Sequence, residues 1–595
     1  MYVRQVRIRR FRGIRELDWS INSRIVCLVG PGDSTKTTIL DAIEYALLPF
    51  YSLPVTDSDF YGGSVAEPIQ IEVAVGELPE QLLTVEKYGL HKRGWNEDRQ
   101  ELVDEPDDAC QEVLCIRLEI GQDLEPKWVV FSDRCPQGIS ISHRDRAQIG
   151  LARLGERTER HLAWGRGSAI SRLTAEGSVA GEGLIAAACR AARQAIASGD
   201  LSRLAQAALS AGEAAERLGV RRKNDQYRPG LDTASVSIGS GALALYDGDI
   251  PVRALGLGSR RLVALAVEWL SVRQGAIMLI DEVEAGLEPH RIRRLLKRLR
   301  DDVGSGTTET PARGQVIMTT HSPVVGVELP VEHLRVVRAT EGATVVRPIQ
   351  GENVQAVVRS SPEAIFGRKV LLCEGPTEVG LVRGLRDHWQ RSHDCLIPEA
   401  KGVVFADGKG GTNGPPAAIA LARLGYDVLF FGDSDEAPVP GSDEMAKAGV
   451  QVVLWDGMVS TEQRLANDLP LLALQAILDA TACTYDADCI LQGAKAKMCG
   501  ICGSRETNPE RCAACRPLEP QLSDWMSRTF ITEQIVRQTI GLAAKKAKIA
   551  GREGWFKRTD LAEEVGSIMS SHLATVVATD LGQKIGRIET WCYGD

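Results

Sequence analysis

The sequence predicts an α/β protein of several domains, and three observations predict it. Short apolar stretches, "IVCLV", "AIMLIDE", "VIMTTH", "KVLLCEG" and "DVLFFGD", each run into glycine, acid or histidine, as buried strands do where they deliver side chains to a site. An Ala-rich stretch, "GLIAAACRAARQAIASGDLSRLAQAALSAGEAAERLGV", separates two groups of such strands and reads as helix. At 595 residues the chain is also too long for one core.

Composition excludes several classes. Charged residues make up 25% and apolar residues 44%, ordinary values for a soluble globular chain. No run approaches a membrane span, and the start "MYVRQVRIRRFRG" lacks the apolar core of a signal peptide, so a cytoplasmic location without membrane association is expected. The 14 cysteines are then expected to be reduced thiols or metal ligands. A net charge of −9 argues against a surface coated with cations for nucleic acid. Basic residues do cluster at Arg4–Arg15, Arg291–Arg300 and Lys545–Arg558. In the middle cluster Ile292, Leu295, Leu296 and Leu299 recur at helical spacing, which reads as a solvated helix with one apolar face.

Texture divides the chain. Residues 1–142 alternate short apolar strands with turns, residues 143–228 form the Ala-rich helical insertion, and residues 229–355 return to α/β. A second α/β block covers residues 365–595. The insertion serves either packing or dimerisation.

The first candidate site is assembled from distant parts. "GPGDSTKTT" follows a strand and opens a helix, as a phosphate-binding loop does, with Gly30, Gly32, Lys36, Thr37 and Thr38 in place. "AIMLIDEVEAGLEP" ends a strand in Asp281-Glu282, and "VIMTTHSP" ends another in His321. "ALGLGSRRL" is a glycine turn opening a helix, able to face an anion with Gly256, Gly258 and Ser259. Their order resembles the ABC-type ATPase heads of the SMC and RecF group over residues 1–350. The resemblance implies that Lys36 and Thr37 hold phosphate and metal, Asp281 binds Mg²⁺, Glu282 is the catalytic base and His321 senses the γ-phosphate. Gly256 to Ser259 would cap a partner's nucleotide. Two departures stand out: Thr35 replaces a loop glycine, and Gly256 replaces the family's serine. Both are expected to weaken turnover more than binding, giving an ATP site with slow or no hydrolysis.

The second block carries a different chemistry. Glu374 and Glu378 lie at a strand end and the following helix start, and Asp433 and Asp435 end another strand. Carboxylates in that pattern form the hard oxygen cage that Mg²⁺ or Mn²⁺ prefers. The pattern resembles the Toprim fold of topoisomerases, primases and certain nucleases. An ABC-type head followed by Toprim resembles the overcoming-lysogenization-defect (OLD) family, to which the nuclease of the Gabija anti-phage system belongs. "FADGKGG" with Asp407, "WDGMVSTEQRL" with Ser460 and Glu462, and "GWFKR" with Lys557 match further family positions. The resemblance implies two metal ions held by Glu374, Glu378, Asp407, Asp433, Asp435, Ser460 and Glu462, with Lys557 as catalytic lysine.

"MCGICGSRETNPERCAACRP" adds two C-x-x-C turns, Cys499, Cys502, Cys512 and Cys515, a spacing that closes a tetrahedral zinc site. It falls inside the Toprim-like block, in an insertion of about residues 483–520.

The expected protein is an ATP-regulated, metal-dependent DNA endonuclease, by family resemblance a component of anti-phage defence. Homodimers or higher even-numbered oligomers are expected, with DNA and a helicase-like or nucleic-acid partner. The competing expectations are a non-catalytic RecF-like DNA clamp and, less well matched, a topoisomerase or primase. No separate DNA-breaking domain with a nucleophilic tyrosine is apparent.

Overall fold

The computed structural model describes residues 1–594 except 109, 156–160, 164–167, 171–186, 189, 193, 196–205, 207, 210, 212–243, 272–275, 305–313, 341, 411, 503–511, 513–515, 529–530 and 550. Two compact units emerge. One joins Met1–Gly13, Asp18–Ile25 and Thr37–Thr319, and the other joins Ile14–Leu17, Val26–Lys36 and Thr320–Asp595.

The elements used below are, in chain order, β1 (Tyr2–Phe11), β2 (Ile25–Val29), α1 (Lys36–Leu47), β3 (Ile69–Gly76), β4 (Gln111–Ile120) and β5 (Leu151–Leu154). Next come α2 (Leu257–Ser271), β6 (Ile277–Ile280), α3 (Pro289–Gly304), β7 (Gln315–Thr319), β8 (Leu334–Thr340) and β9 (Ala343–Pro348). The chain continues with β10 (Lys369–Cys373), α4 (Pro376–Gly384), β11 (Val403–Asp407), β12 (Asp427–Gly432) and β13 (Val450–Leu454). Last are α5 (Thr461–Asp468), α6 (Glu533–Lys546) and α7 (Thr559–Ser570).

In the first unit β5, β6 and β7 run parallel, with Leu154 opposite Ile280 and Ile280 opposite Met318. β6 is buried along its whole length, which its unbroken "IMLI" requires of a strand covered on both faces. β1, β3 and β4 form an antiparallel ladder instead. There β3 alternates buried Ile69, Ile71 and Val73 with half-buried Gln70 and Glu72. α3 buries Ile292, Leu296 and Leu299, the stripe read from the sequence.

One boundary differs from the sequence reading. The helical texture that begins at residue 143 is interrupted by β5, a buried strand paired to β6. Four residues with an arginine in the middle give too short a pattern to separate from the Ala-rich run that follows. The dimerisation arm expected over 143–228 otherwise lies mostly outside the described residues.

The second unit holds β8 parallel to β2 and antiparallel to β9. It also holds a four-stranded parallel sheet in the order β11–β10–β12–β13. After β10 the chain passes first to β11 on one side and then to β12 on the other. That reversal leaves a crevice outside the carboxyl ends of β10 and β12, where open α/β sheets bind ligands. α4 and α7 pack closely on each other: a methyl on Gly384 would meet the Glu563 carbonyl at 2.1 Å, and one on Gly566 the Leu381 carbonyl at 2.3 Å. No helix among the described residues is long and apolar enough to cross a membrane.

Candidate functional sites

The phosphate-type loop leaves β2 at Gly30, whose φ is +142° and whose Cβ would meet the Val337 carbonyl at 2.6 Å. Only glycine fits there. Lys36 is buried, and its ammonium donates to the Gly30 carbonyl at 3.2 Å, the Pro31 carbonyl at 2.8 Å and Ser34 Oγ at 3.0 Å. Thr35 takes φ +65°, a region that a β-branched residue seldom enters. Its hydroxyl donates to the Ser34 carbonyl at 2.6 Å and lies 3.2 Å from Thr344 Oγ1. Gly32 has open space where a Cβ would stand. Thr38 is half-buried in α1.

Thr37 and Asp281 meet: Thr37 Oγ1 donates to Asp281 Oδ1 at 3.1 Å. Two residues that sequence reading missed complete this carboxylate's surroundings. Thr319 Oγ1, at the end of β7, donates to Asp281 Oδ1 at 2.6 Å, and Arg153 on β5 donates to Asp281 Oδ2 at 3.1 Å. The Glu282 amide donates to Thr319 Oγ1 at 2.8 Å, and Glu282 itself has φ +45°. Arg261 of α2 donates to the Asp281 and Glu282 carbonyls. At the start of α2, a Cβ on Gly258 would meet the Gly286 carbonyl at 2.2 Å, so the glycine turn lies directly on the "GLEP" turn. Gly256 has open space around it, and Ser259 Oγ accepts from Arg291 at 3.1 Å. His321 is exposed.

The second site lies at the crevice of the four-stranded sheet. Glu374 follows β10 and is held to β12 by its amide, which donates to the Phe431 carbonyl at 2.8 Å. Its Oε2 accepts the Asp433 amide at 2.9 Å across Gly432, where a Cβ would stand 2.6 Å from that oxygen. Glu378, in the first turn of α4, accepts the Gly375 amide at 3.1 Å through Oε2. Its Oε1 lies 2.8 Å from Thr461 Oγ1, which is also 2.7 Å from Asp433 Oδ1. Glu462, one residue on, is 2% exposed, and its Oε1 has no hydrogen-bond partner. The Lys557 ammonium is 3.6 Å from it, an ion pair too long for a hydrogen bond. Lys557 is placed by its neighbours: Trp555 and Phe556 are buried, and Thr377 donates to the Phe556 carbonyl at 3.2 Å.

Asp407 joins the same cleft from β11. The Gly408 amide donates to the Cys373 carbonyl and the Gly410 amide to the Glu374 carbonyl, each at 2.8 Å. Glu374, Glu378, Asp407, Asp433, Lys409 and Lys557 line a cleft of about 360 Å³. Asp407 accepts from both the amide and the ammonium of Lys409, each at 2.8 Å. Asp435 pairs with Lys545 and does not line the cleft. Ser460 is fully buried, and its hydroxyl caps α5 by accepting the Gln463 amide.

Negative charge crowds this cleft. Burial, and then Asp433 and Glu462, hold the Glu378 carboxyl well above the ordinary range. Burial, and then Glu462, push Asp433 up to about 6. Burial also raises Glu374. For Lys557 burial acts downward, but Glu462, Glu378 and Asp433 outweigh it and raise the ammonium's pKa. Among the described residues, no three His, Cys, Asp or Glu side chains converge as a metal-binding group. The donor set still suits a hard cation: all-oxygen, anionic, and with a buried Glu462 oxygen left unsatisfied.

Of the four paired cysteines, Cys502 and Cys512 are buried with their sulfurs 3.9 Å apart. Cys499 is half-buried at the end of the preceding helix, and Cys515 lies outside the described residues.

Residues 219–328 match the family model described as "AAA domain, putative AbiEii toxin, Type IV TA system", a span containing Gly256–Ser259, Asp281, Glu282 and His321. The chain therefore carries an ATPase-type domain there. Among solved structures, an SMC head bound to the C-winged helix domain of ScpA is 15% identical, covering 60% of this chain and 100% of that one, with a TM-score of 0.34. The SMC head domain from Thermotoga maritima is 14% identical, covering 59% and 100%, with a TM-score of 0.27. An Smc head with an extended coiled coil, bound to the C-terminal domain of ScpA derived from Pyrococcus furiosus, is 12% identical, covering 58% and 95%, with a TM-score of 0.32. No curated protein matches the chain.

Proposed function

We propose that this chain is an ATP-regulated, divalent-metal-dependent DNA endonuclease of the OLD type, with an ABC-type head and a Toprim nuclease domain, acting in anti-phage defence. The observation that carries the reading is the cleft: Glu374, Glu378, Asp433 and Lys557 line it at the carboxyl edge of a parallel sheet, with buried Glu462 beside Lys557. Those four carboxylates would hold Mg²⁺ or Mn²⁺, which would supply charge neutralisation and a bound water of lowered pKa. Lys557 faces the same space and is suited to stabilise charge building on a transferring phosphate. Glu374 and Glu378 would exchange their bonds to the Asp433 and Gly375 amides for contact with the cation. DNA is the substrate in this reading because its phosphodiester is the bond that such a centre would cleave.

The head belongs to the same reading. Thr37, Asp281 and Lys36 are suited to Mg²⁺–ATP, with slow turnover expected from the left-handed Thr35. Gly256 to Ser259 would complete the site of a second copy, hence a homodimer or an even-numbered assembly. Cys499, Cys502, Cys512 and Cys515 would hold a structural Zn²⁺. The 3.9 Å sulfur separation is close to the edge of a tetrahedron built on zinc–sulfur bonds of about 2.3 Å.

One observation favours the clamp reading instead: Asp407 lines the cleft but is paired with Lys409, and Asp435 is paired with Lys545 off the cleft, so the acid set is partly neutralised by lysines. Plasmid incubated with the protein and Mg²⁺ or Mn²⁺, with and without ATP, decides between them. Metal-dependent cleavage that disappears in Glu374→Gln supports the nuclease. DNA retention without cleavage in any metal supports the clamp.

A further inference from the structure

The S-T-E triplet at the start of α5 contains two hydroxyls, and they do different work. Ser460 is the N-cap and its oxygen is taken by the Gln463 amide. Thr461 is the next residue, fully buried, and its hydroxyl is the one that meets the carboxylates.

Four contacts fix it. The hydroxyl is 2.8 Å from Glu378 Oε1 and 2.7 Å from Asp433 Oδ1. The Trp455 indole donates to it at 2.8 Å. The Thr461 amide, a first-turn N–H with no partner inside its own helix, donates to Asp433 Oδ1 at 2.6 Å. A hydroxyl has one proton and two acceptor lone pairs. With the indole filling one lone pair, its single proton serves two carboxylate oxygens. Two carboxyl side chains from separate elements, α4 and the turn after β12, are therefore drawn to one atom. The positive end of α5 adds a favourable field for Asp433.

We propose that Thr461 is a positioning residue of the acid cleft, whose hydroxyl and amide fix Glu378 and Asp433 relative to each other so that the pair can hold a divalent cation. The inference rests on the nuclease reading above. It adds a residue outside the acids and lysine to which that reading gives roles. Thr461 touches no substrate; it acts through the two carboxylates.

The test compares Mn²⁺ binding, by titration calorimetry, and plasmid cleavage for the full-length protein and for Thr461→Ser, Thr461→Ala and Thr461→Val, with thermal melts in parallel. Removing the hydroxyl in the Ala and Val variants should weaken Mn²⁺ binding roughly 10–100-fold, the usual effect of losing a group that orients a ligand, while Ser stays within about threefold of wild type. Cleavage at saturating Mn²⁺ should recover in part. Ala or Val variants that bind Mn²⁺ as wild type does would overturn the inference and leave the nuclease reading standing. Equal weakening in Ser, Ala and Val would also overturn it, because packing rather than the hydroxyl would be responsible. Loss of fold in Ala and Val but not in Ser would do the same, by making the role purely structural. A wild-type protein that neither binds Mn²⁺ nor cleaves would remove the nuclease reading and this inference with it.

Discussion

Arg153 donates to Asp281 Oδ2 at 3.1 Å, and the same guanidinium reaches Asp41 at 2.9 Å and Glu44 at 3.3 Å. One buried cation thus holds three carboxylates, among them Asp281, proposed above as a Mg²⁺ ligand. Arg12 also pairs with Asp41, so Arg153→Met removes the cation from Asp281 and Glu44 above all, and should cost about 3–5 kcal/mol, the range for breaking one side of a buried pair. Calorimetry should show a lower melting temperature, and millimolar Mg²⁺ should restore more of it in the variant than in wild type. An unchanged melt would mean that the acids find other partners.

Thr35 is the test of the loop. At φ +65° a β-branched residue carries strain on the order of 1–2 kcal/mol, held by its contacts with Ser34 and Thr344. Thr35→Gly removes the strain and the side chain together, so stability should change little while ATP affinity or turnover rises. Thr35→Val keeps the strain and loses the hydroxyl contacts, and should be less stable by about 1 kcal/mol. Fluorescent-nucleotide titration and thermal melts measure both; robust wild-type hydrolysis that falls in Thr35→Gly would show a loop adapted to its threonine.

Gly432 offers a way to perturb the acid cleft without touching its charge. A methyl there would stand 2.6 Å from Glu374 Oε2, so Gly432→Ala must push the carboxylate off the Asp433 amide. Metal-dependent cleavage should fall by about 10–100-fold, approaching the loss in Glu374→Gln, with the fold retained. Normal cleavage in Gly432→Ala would show that the Glu374–Asp433 bond is dispensable.

What the sequence made legible was whatever lay at the end of a strand. Glu374 and Asp433 follow β10 and β12, Asp407 ends β11 and Asp281 follows β6, because an unbroken apolar run marks a buried strand and the first polar residue at its end marks the edge. Thr461, Arg153 and Thr319 were not legible. Each is a buried donor whose acceptor lies 28 or more residues away, so its role is set by packing that no local pattern records. Gly432 reads from sequence as an ordinary strand-end glycine, and only the neighbouring strand's Glu374 gives it a purpose. Asp435 shows the opposite error. Its D-x-D spacing suggested the cleft, but the chain bends after β12 and Asp435 pairs with Lys545 instead.

The cysteine pairs make a prediction independent of the acids. Reduced, purified protein should carry about one zinc per chain, and Cys502→Ser should lose it together with the packing of the lobe around Cys512. Elemental analysis and a melt in the presence of a chelator check this. A well-folded, metal-free protein indifferent to the chelator would mark these as free thiols.

The crowded cleft also fixes the sign of a pH dependence. Asp433 is raised from an ordinary 3.8 to about 6, by burial first and by Glu462 second. A carboxyl raised on folding binds its proton more tightly in the folded state, so its contribution to stability is fully present below pH 3.8 and disappears as pH rises through about 6. Glu374 and Glu378 are raised too and act in the same direction. In chelator, therefore, the second unit should melt at higher temperature at pH 5 than at pH 7.5, by roughly 2–4 °C for each kcal/mol in a body of this size. Asp433→Asn, which cannot ionise, should flatten that difference and be the more stable protein at pH 7.5. Mn²⁺ should invert the trend, since a cation binds the ionised carboxylates and rewards the higher pH. If wild type and Asp433→Asn show the same pH profile in chelator, Asp433 is not held in the strained, charge-crowded state that this cleft gives it.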